Sequence, residues 1–443
     1  MSFLADKQTL DDLNIPGRYN NKSIYRIFDS VITNGGRKLL DDMFRHPLTD
    51  PVAINERSSI FQYFGQNPVA FPFSGEAFHV VENYLTTGAA TNMPAAAWNI
   101  VSRKLLKTVI RDTGYDLLVA GLGNTIALLT AFRGFVYKLE QQGAYSPVQE
   151  HFEKVRQIFN DRRLQWIREE TDVKQLSLLK LIKYDYQLRT GCLGEMKTLI
   201  DIIYQFDVYI AVSTVARTKH FCYAKALPKH KNILNISGLF HPSVEHAVSN
   251  NISFDPGSNV AFLTGANMAG KSTFMKSFGI AVYLSHMGFP VPAAEMEFSV
   301  KDGLFSTINV PDSLEHGYSH FYAEVLRVKS VAEQVGESKD LVVIFDELFK
   351  GTNVKDAFDA TLAITAAFSE NKHCFFIISS HIIEVGEALK ERGGSFRFLY
   401  LPTVMEGNVP RYTYQLKEGI TADRHGMIII ENEGLIELIR KRD

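Results

Sequence analysis

An all-α region followed by an α/β domain on a mostly parallel sheet is the fold class this sequence predicts, on three observations. Up to residue 232, apolar residues recur at three- and four-residue spacing in long segments with few Pro or Gly breakers. From residue 233 onward, short apolar β-rich runs alternate with helical ones, the pattern of a sheet covered on both faces. Between one such run and the helix after it stands Gly265-Ala266-Asn267-Met268-Ala269-Gly270-Lys271-Ser272, a complete Gly-x-x-x-x-Gly-Lys-Ser loop. The expected domains are therefore a helical one over 1–232 and an α/β one over 233–443.

In the helical region, Ile24, Ile27, Phe28 and Val31 form one stripe and Leu39, Leu40, Met43 and Phe44 another, with Gly35-Gly36 as a joint. Val148, Phe152, Val155 and Phe159 mark a third stripe, and Leu199, Ile202, Phe206 and Ile210 a fourth. The only two tryptophans, Trp98 and Trp166, are expected to pack in the core or between helices. In the second region, Val260 to Leu263 is the first strand and Thr273 to about His286 the helix after the loop. Leu341 to Phe345 and Cys374 to Ile378 are further strands, each followed by a helix, from about Lys355 and after His381. Arg397 to Leu401 and Arg411 to Leu416 read as an antiparallel pair.

A chain of 443 residues with 46% hydrophobic and 22% charged content can bury a large core. Its formal charge of −2 gives no global basic field, which leaves local basic surfaces open. Cys192, Cys222 and Cys374 fit no metal-ligand or disulfide spacing and read as buried fillers in a reducing compartment. The start lacks a basic-then-apolar leader, and the apolar segment from Ile202 to Val215 is short for a membrane span and carries Asp207. A cytoplasmic protein without a membrane partner is expected.

The loop defines the chemistry. Its glycines let the backbone curl so that successive N–H groups converge on phosphate oxygens, while Lys271 adds charge and Ser272 a magnesium ligand. ATP and Mg²⁺ are the expected cofactors. The strand Leu341-Val-Val-Ile-Phe345 ends in Asp346-Glu347, at the carboxyl end where ligands bind in a parallel sheet. Asp346 is then placed to hold magnesium with Ser272, and Glu347 to orient or deprotonate the attacking water. Taken alone, the acidic pair also suits a helix cap. His381, after the next strand, either reaches the γ-phosphate or caps the helix that follows.

These segments resemble those of the MutS family, the ATPases of DNA mismatch repair. The resemblance rests on Gly265 to Thr273, on Val343 to Asn353, on Ser379-Ser380-His381 and on Gly288-Phe-Pro-Val-Pro-Ala293. It extends to Ile27 through Leu40, His46-Pro-Leu and Ile54-Asn-Glu-Arg57, which look like the opening of that family's core domain. The resemblance implies an ABC-like ATPase domain behind a core and lever of helices, a homodimer with composite sites, and DNA as a partner held through its backbone. It implies that Asn267 touches the β/γ phosphates and that Ser319, in Gly317-Tyr-Ser-His-Phe-Tyr-Ala-Glu324, reaches the partner subunit's nucleotide. It also implies that Tyr414 stacks on adenine. Read without it, Ser319 is a helix cap and Tyr414 a packing residue.

The chain departs from the family pattern at several points. Ala266 and Ala269 replace Pro and Gly in the loop, adding Cβ atoms without removing an N–H donor. Phe349-Lys-Gly-Thr-Asn353 replaces Gly-Arg-Gly-Thr-Ser, so a forked guanidinium becomes a point charge. The aromatic expected on the other face of adenine falls near Ala247. The core segment begins so near residue 1, and the sequence ends so soon after Gly426, that a mismatch-reading domain, a connector and a full C-terminal helix-turn-helix are not expected. A DNA-binding reading makes Arg103-Lys104, Arg162-Arg163 and Lys225 with Lys229 the phosphate contacts. A different class of function, a nucleotide-gated clamp on a protein or ribonucleoprotein partner, fits the same sequence.

Overall fold

The structure, a computed structural model, describes residues 2–16, 23–88, 90–141, 147–170, 176–308, 320–406, 409–421 and 438–439. The chain forms two compact units. One comprises Met1–Ile27, Phe44–Ser58 and Val215–Asp443, and the other Phe28–Met43 and Ser59–Thr214. The fold class is the expected one, helices followed by an α/β sheet, but the units are not separated by a single cut in the sequence.

The first unit is organised by six strands: β1 (Val260–Gly265), β2 (Gly303–Thr307), β3 (Leu341–Asp346), β4 (Phe375–Ser379), β5 (Phe396–Leu401) and β6 (Lys417–Glu418). They lie in the order β6-β5-β1-β4-β3-β2, parallel except for β6, which runs antiparallel to β5. Every residue of β1, β2 and β4 is buried, as a parallel sheet covered on both faces requires. Four helices belong to this sheet: α1 (Lys271–His286), α2 (His320–Gly336), α3 (Val354–Ser369) and α4 (Ile383–Arg392). A four-stranded sheet of Lys225–Leu227, Glu295–Ser299, Leu234–Leu239 and Asn250–Phe254 completes the unit.

The antiparallel reading near the C-terminus needs correction. Arg411 and Tyr412 pair with Val404 and Thr403 in a separate two-stranded ribbon, and the sheet edge is Lys417–Glu418. Two features break the strand between them. Tyr414 has φ 56°, and the Asn250 side chain engages both sides of the bend, donating to Tyr414 O (3.0 Å) and accepting from Leu416 N (2.6 Å).

The N-terminal segment joins this unit because β2 is the last strand and its edge needs partners. Leu4 N–H donates to Asp302 O and Leu304 N–H to Leu4 O, both at 2.8 Å. The backbone passes so close to Gly303 that a Cβ there would sit 2.6 Å from Leu4 O. In the helix Lys7–Asp12, Thr9 Oγ1 accepts from Ser306 N (2.9 Å) and Asp12 Oδ2 accepts from Ile308 N (2.9 Å).

His286, at the end of α1, is fully buried between Phe3 and Phe298. Its Nδ1 lies 2.8 Å from Leu48 O and its Nε2 faces the N–H of Lys301 at 3.4 Å, so the proton belongs on Nδ1. Burial holds its pKa down at about 4, against 6.5 when unfolded. The unfolded chain therefore binds the extra proton, and stability is lost as pH falls from 6.5 to 4, by about 3 kcal/mol from this group. Urea titrations at pH 7 and pH 5 check this: the wild-type loss across that interval is expected to shrink in His286→Asn, which cannot take the proton.

The second unit is a packed set of helices, among them Asn34–Arg45, Gly75–Thr86, Met93–Ile110, Gly114–Glu140, Gln149–Asn160 and Leu193–Thr218. Asp207, which interrupts the apolar stripe, is buried and accepts from the N–H groups of Ile32 (3.1 Å) and Thr33 (2.7 Å), at the start of Asn34–Arg45. Leu193–Thr218 is longer than the segment read from sequence, and with Gly114–Glu140 is long and apolar enough to cross a membrane. Inside the unit, 72% of the most apolar window of Leu193–Thr218 is buried, as befits a core helix, against 44% for Gly114–Glu140. Of the two tryptophans, Trp166 packs as expected, stacked at 3.5 Å on Tyr184. Trp98 does not: it is 76% exposed.

Candidate nucleotide site

Sheet register assembles the site. Leu263 of β1, Ser379 of β4 and Asp346 of β3 are neighbours in one row across three adjacent strands, at their carboxyl ends. The chain leaves β1 through Gly265 (φ 151°), Met268 (φ 68°) and Gly270 (φ 101°) and enters α1 at Lys271. Among the described residues no side chain caps α1, which leaves the N–H groups of its first turn open to another acceptor. Ala269 is buried and its N–H donates to Ala266 O (3.2 Å), so the loop accommodates both alanines.

Lys271 is only 5% exposed. Its Nζ donates to Gly265 O (2.9 Å) and Ala266 O (3.3 Å) and stands 3.8 Å from Glu347 Oε1. Ser272 Oγ donates to Asp346 Oδ2 and Ser379 Oγ to Asp346 Oδ1, each at 2.5 Å. A hydroxyl and a carboxylate converging beside the Gly265–Ser272 loop form a hard-oxygen pair. They fit Mg²⁺, which takes one or two protein oxygens and completes its shell with water and phosphate. Glu347 follows with φ 56°, an uncommon conformation for a carboxylate residue, and its N–H is held by Ser379 O (3.2 Å) and Oγ (3.1 Å). Phe349, two residues on, has φ 61° and is buried. Asn353 caps α3, accepting from Asp356 N at 3.0 Å.

A cavity of about 560 Å³ opens over this loop, within the range of small-ligand sites. Asn267, Lys271, Ser272, Thr273 and Glu347 line it, together with Tyr414 and residues of the segment from Leu239 to Val248. The Tyr414 ring lies against the loop, 3.1 Å from where a Cβ on Gly270 would stand, which only glycine permits. Phe240, His241 and His246 were not identified from sequence, and all three line the cavity beside Ala247. Burial, with the charge of Lys276, lowers the pKa of His241, and its Nδ1 accepts from Ser243 N (3.2 Å), so the neutral ring carries its proton on Nε2. A single histidine before a proline carries no signal that separates it from a packing residue.

His381 stands exposed beyond β4, at the same end of the sheet as Asp346, and does not line the cavity. Ser319 lies outside the described residues; α2 begins just after it, at His320. The basic clusters are partly occupied, with Lys104 and Arg162 exposed. Arg103 binds Asn99 and Gly114, Arg163 binds Asp161 and Glu195, Lys225 pairs with Glu297 at 3.1 Å, and Lys229 pairs with Asp302.

Comparison with known proteins adds family to geometry. Residues 261–442 match the model of MutS domain V. The DNA mismatch repair protein MSH7 of Arabidopsis thaliana is 26% identical over 427 residues, 85% of this chain and 37% of that protein. The DNA mismatch repair protein MutS of Halalkalibacterium halodurans is 25% identical over 56% of this chain and 29% of its own length. That of Listeria innocua is 26% identical over 57% and 30%. The chain thus spans between about three and four tenths of the length of these curated relatives. A MutS-family ATPase domain, domain V, is present, and homology to MutS proteins extends beyond it at low identity.

Proposed function

We propose that this chain binds ATP with Mg²⁺ in the cavity over Gly265–Ser272, hydrolyses it, and acts as a dimer in DNA repair or recombination. The observation that carries the reading is the convergence of Ser272, Asp346 and Glu347 on an uncapped helix N-terminus, inside a MutS domain V. In it, the loop N–H groups, Asn267 and Lys271 hold the phosphates. Ser272 and Asp346 hold the metal, which supplies charge neutralisation at the phosphates when bound. Glu347 orients the attacking water and takes its proton, and His381 moves onto the γ-phosphate from its exposed position. Tyr414 stacks on the base, and Ser319 completes the partner subunit's site. A cytoplasmic setting fits this role.

DNA is the proposed partner because the similar proteins bear mismatch repair names. The engaged basic side chains favour a second reading, a clamp on a protein or ribonucleoprotein, since an ion-paired arginine releases fewer counterions on meeting phosphate. Binding of homoduplex, mismatched and branched DNA at rising salt separates the two. The DNA reading expects affinity that falls steeply with salt; absence of binding to all three at low salt with ATP present rejects it.

A further inference from the structure

The helix Met93–Ile110 buries Ala96 and Ile100 on one side and turns a second apolar seam outward. Trp98, Leu105 and Val109 are 76%, 60% and 77% exposed, and with Ser102 they follow a four-three-four spacing. Alternating steps of four and three are the spacing at which one helix meets another along a seam. Leu106 and Ile110 widen the seam, and Leu117 follows it on the next helix. Together these side chains expose roughly 700 Å², close to what one partner contributes to a standard protein interface. An isolated exposed leucine needs no explanation, but a tryptophan-led seam of this size does.

From this seam we infer that the hairpin of Met93–Ile110 and Gly114–Glu140 pairs with the same hairpin of a second copy of the chain, across a two-fold axis beside Ser102. The pairing is self-complementary by size. In an antiparallel crossing at Ser102, Trp98 covers Leu105 and Leu106 of the partner subunit, and Val109 meets Ala95 of the partner subunit, so large residues face small or flexible ones. Two of the cations on this helix are already held within one chain, while Lys104 is exposed. Arg103 donates to Asn99 Oδ1 (2.9 Å) and Gly114 O (3.4 Å), and Lys107 is bound to Asp116 at 2.5 Å. A lipid surface or a nucleic acid calls for a face dominated by cations, whereas an apolar seam of this area, whose large residues fall opposite small or flexible ones when it meets itself, suits another copy of the chain. This interface needs no nucleotide and is independent of the composite ATPase site.

Cross-linking at the axis tests it. Ser102→Cys in otherwise intact protein, oxidised at micromolar concentration without nucleotide, is expected to give a covalent dimer. Adding Leu105→Glu, a change at an exposed position that leaves folding intact, is expected to abolish that dimer and to raise the dissociation constant in sedimentation by at least about 30-fold. A Trp166→Phe chain, in which Trp98 is the one remaining tryptophan, is expected to show emission moving to shorter wavelength as concentration rises. No cross-link, with the same mass for wild type and Leu105→Glu, overturns the inference. If an ATP-dependent dimer nevertheless forms, the composite-site proposal survives alone. If the cross-link persists in Lys271→Ala, which is expected not to bind ATP, the hairpin interface stands whatever the fate of the ATPase reading. Association of Trp98 with anionic vesicles or duplex DNA by a chain that stays monomeric also rejects it.

Discussion

Lys271→Ala is expected to lower ATP affinity by at least about 100-fold, the largest binding effect any single change in this chain should produce. The ammonium is nearly buried, and its present partners are two loop carbonyls and the more distant Glu347 carboxylate. Carbonyls are weak counter-groups for a desolvated cation, so the same position offers much stronger attraction to a triphosphate. Lys271→Arg separates charge from fit: the longer, forked group cannot enter a loop whose carbonyls lie 2.9 and 3.3 Å from Nζ, and it is expected to restore little. Titration calorimetry with MgATP, alongside circular dichroism and thermal melts to confirm folding, checks both. A Lys271→Ala affinity within threefold of wild type would remove the phosphate assignment.

What could be read in advance followed from local rules. β1, β3 and β4 announce themselves because a strand buried on both faces must be apolar throughout, and the turn of Gly265–Ser272 between β1 and α1 because its glycines sit at fixed spacing. Asp346 and Glu347 follow from where β3 ends. The rest depends on partners far away in sequence. Nothing in Phe3-Leu4 tells that Leu4 lies beside Gly303, and β2 itself, Gly303-Leu-Phe-Ser-Thr307, is too short and mixed to stand out. Arg163 looks like a free cation until Glu195 is placed beside it. Trp98 and Trp166 are the same residue in similar helical texture, yet one stacks on Tyr184 and the other meets solvent. Tyr414 sits in a segment that alternates like a strand, and only the Asn250 side chain, which grips both sides of it, reveals the left-handed bend.

Glu347→Gln is the change expected to split binding from chemistry. Glutamine keeps the shape of the side chain and leaves the backbone N–H on Ser379, so the strained turn and the cavity wall persist. It also removes the carboxylate 3.8 Å from the Lys271 ammonium, which leaves the cation less neutralised and favours the triphosphate. ATP affinity is therefore expected to hold or to rise slightly. The amide cannot accept the proton of an attacking water, and single-turnover hydrolysis is expected to fall by about 10²- to 10⁴-fold. Because the variant holds ATP uncleaved, it is also the form in which a composite dimer accumulates; combined with Leu105→Glu, which removes the nucleotide-independent hairpin interface, it is expected to show a doubled mass in light scattering only when ATP is present. Hydrolysis at the wild-type rate would move the general base elsewhere, and a monomeric mass with and without ATP would remove the partner's Ser319 from the mechanism. The two readouts fail independently, so each tests a separate part of the proposal.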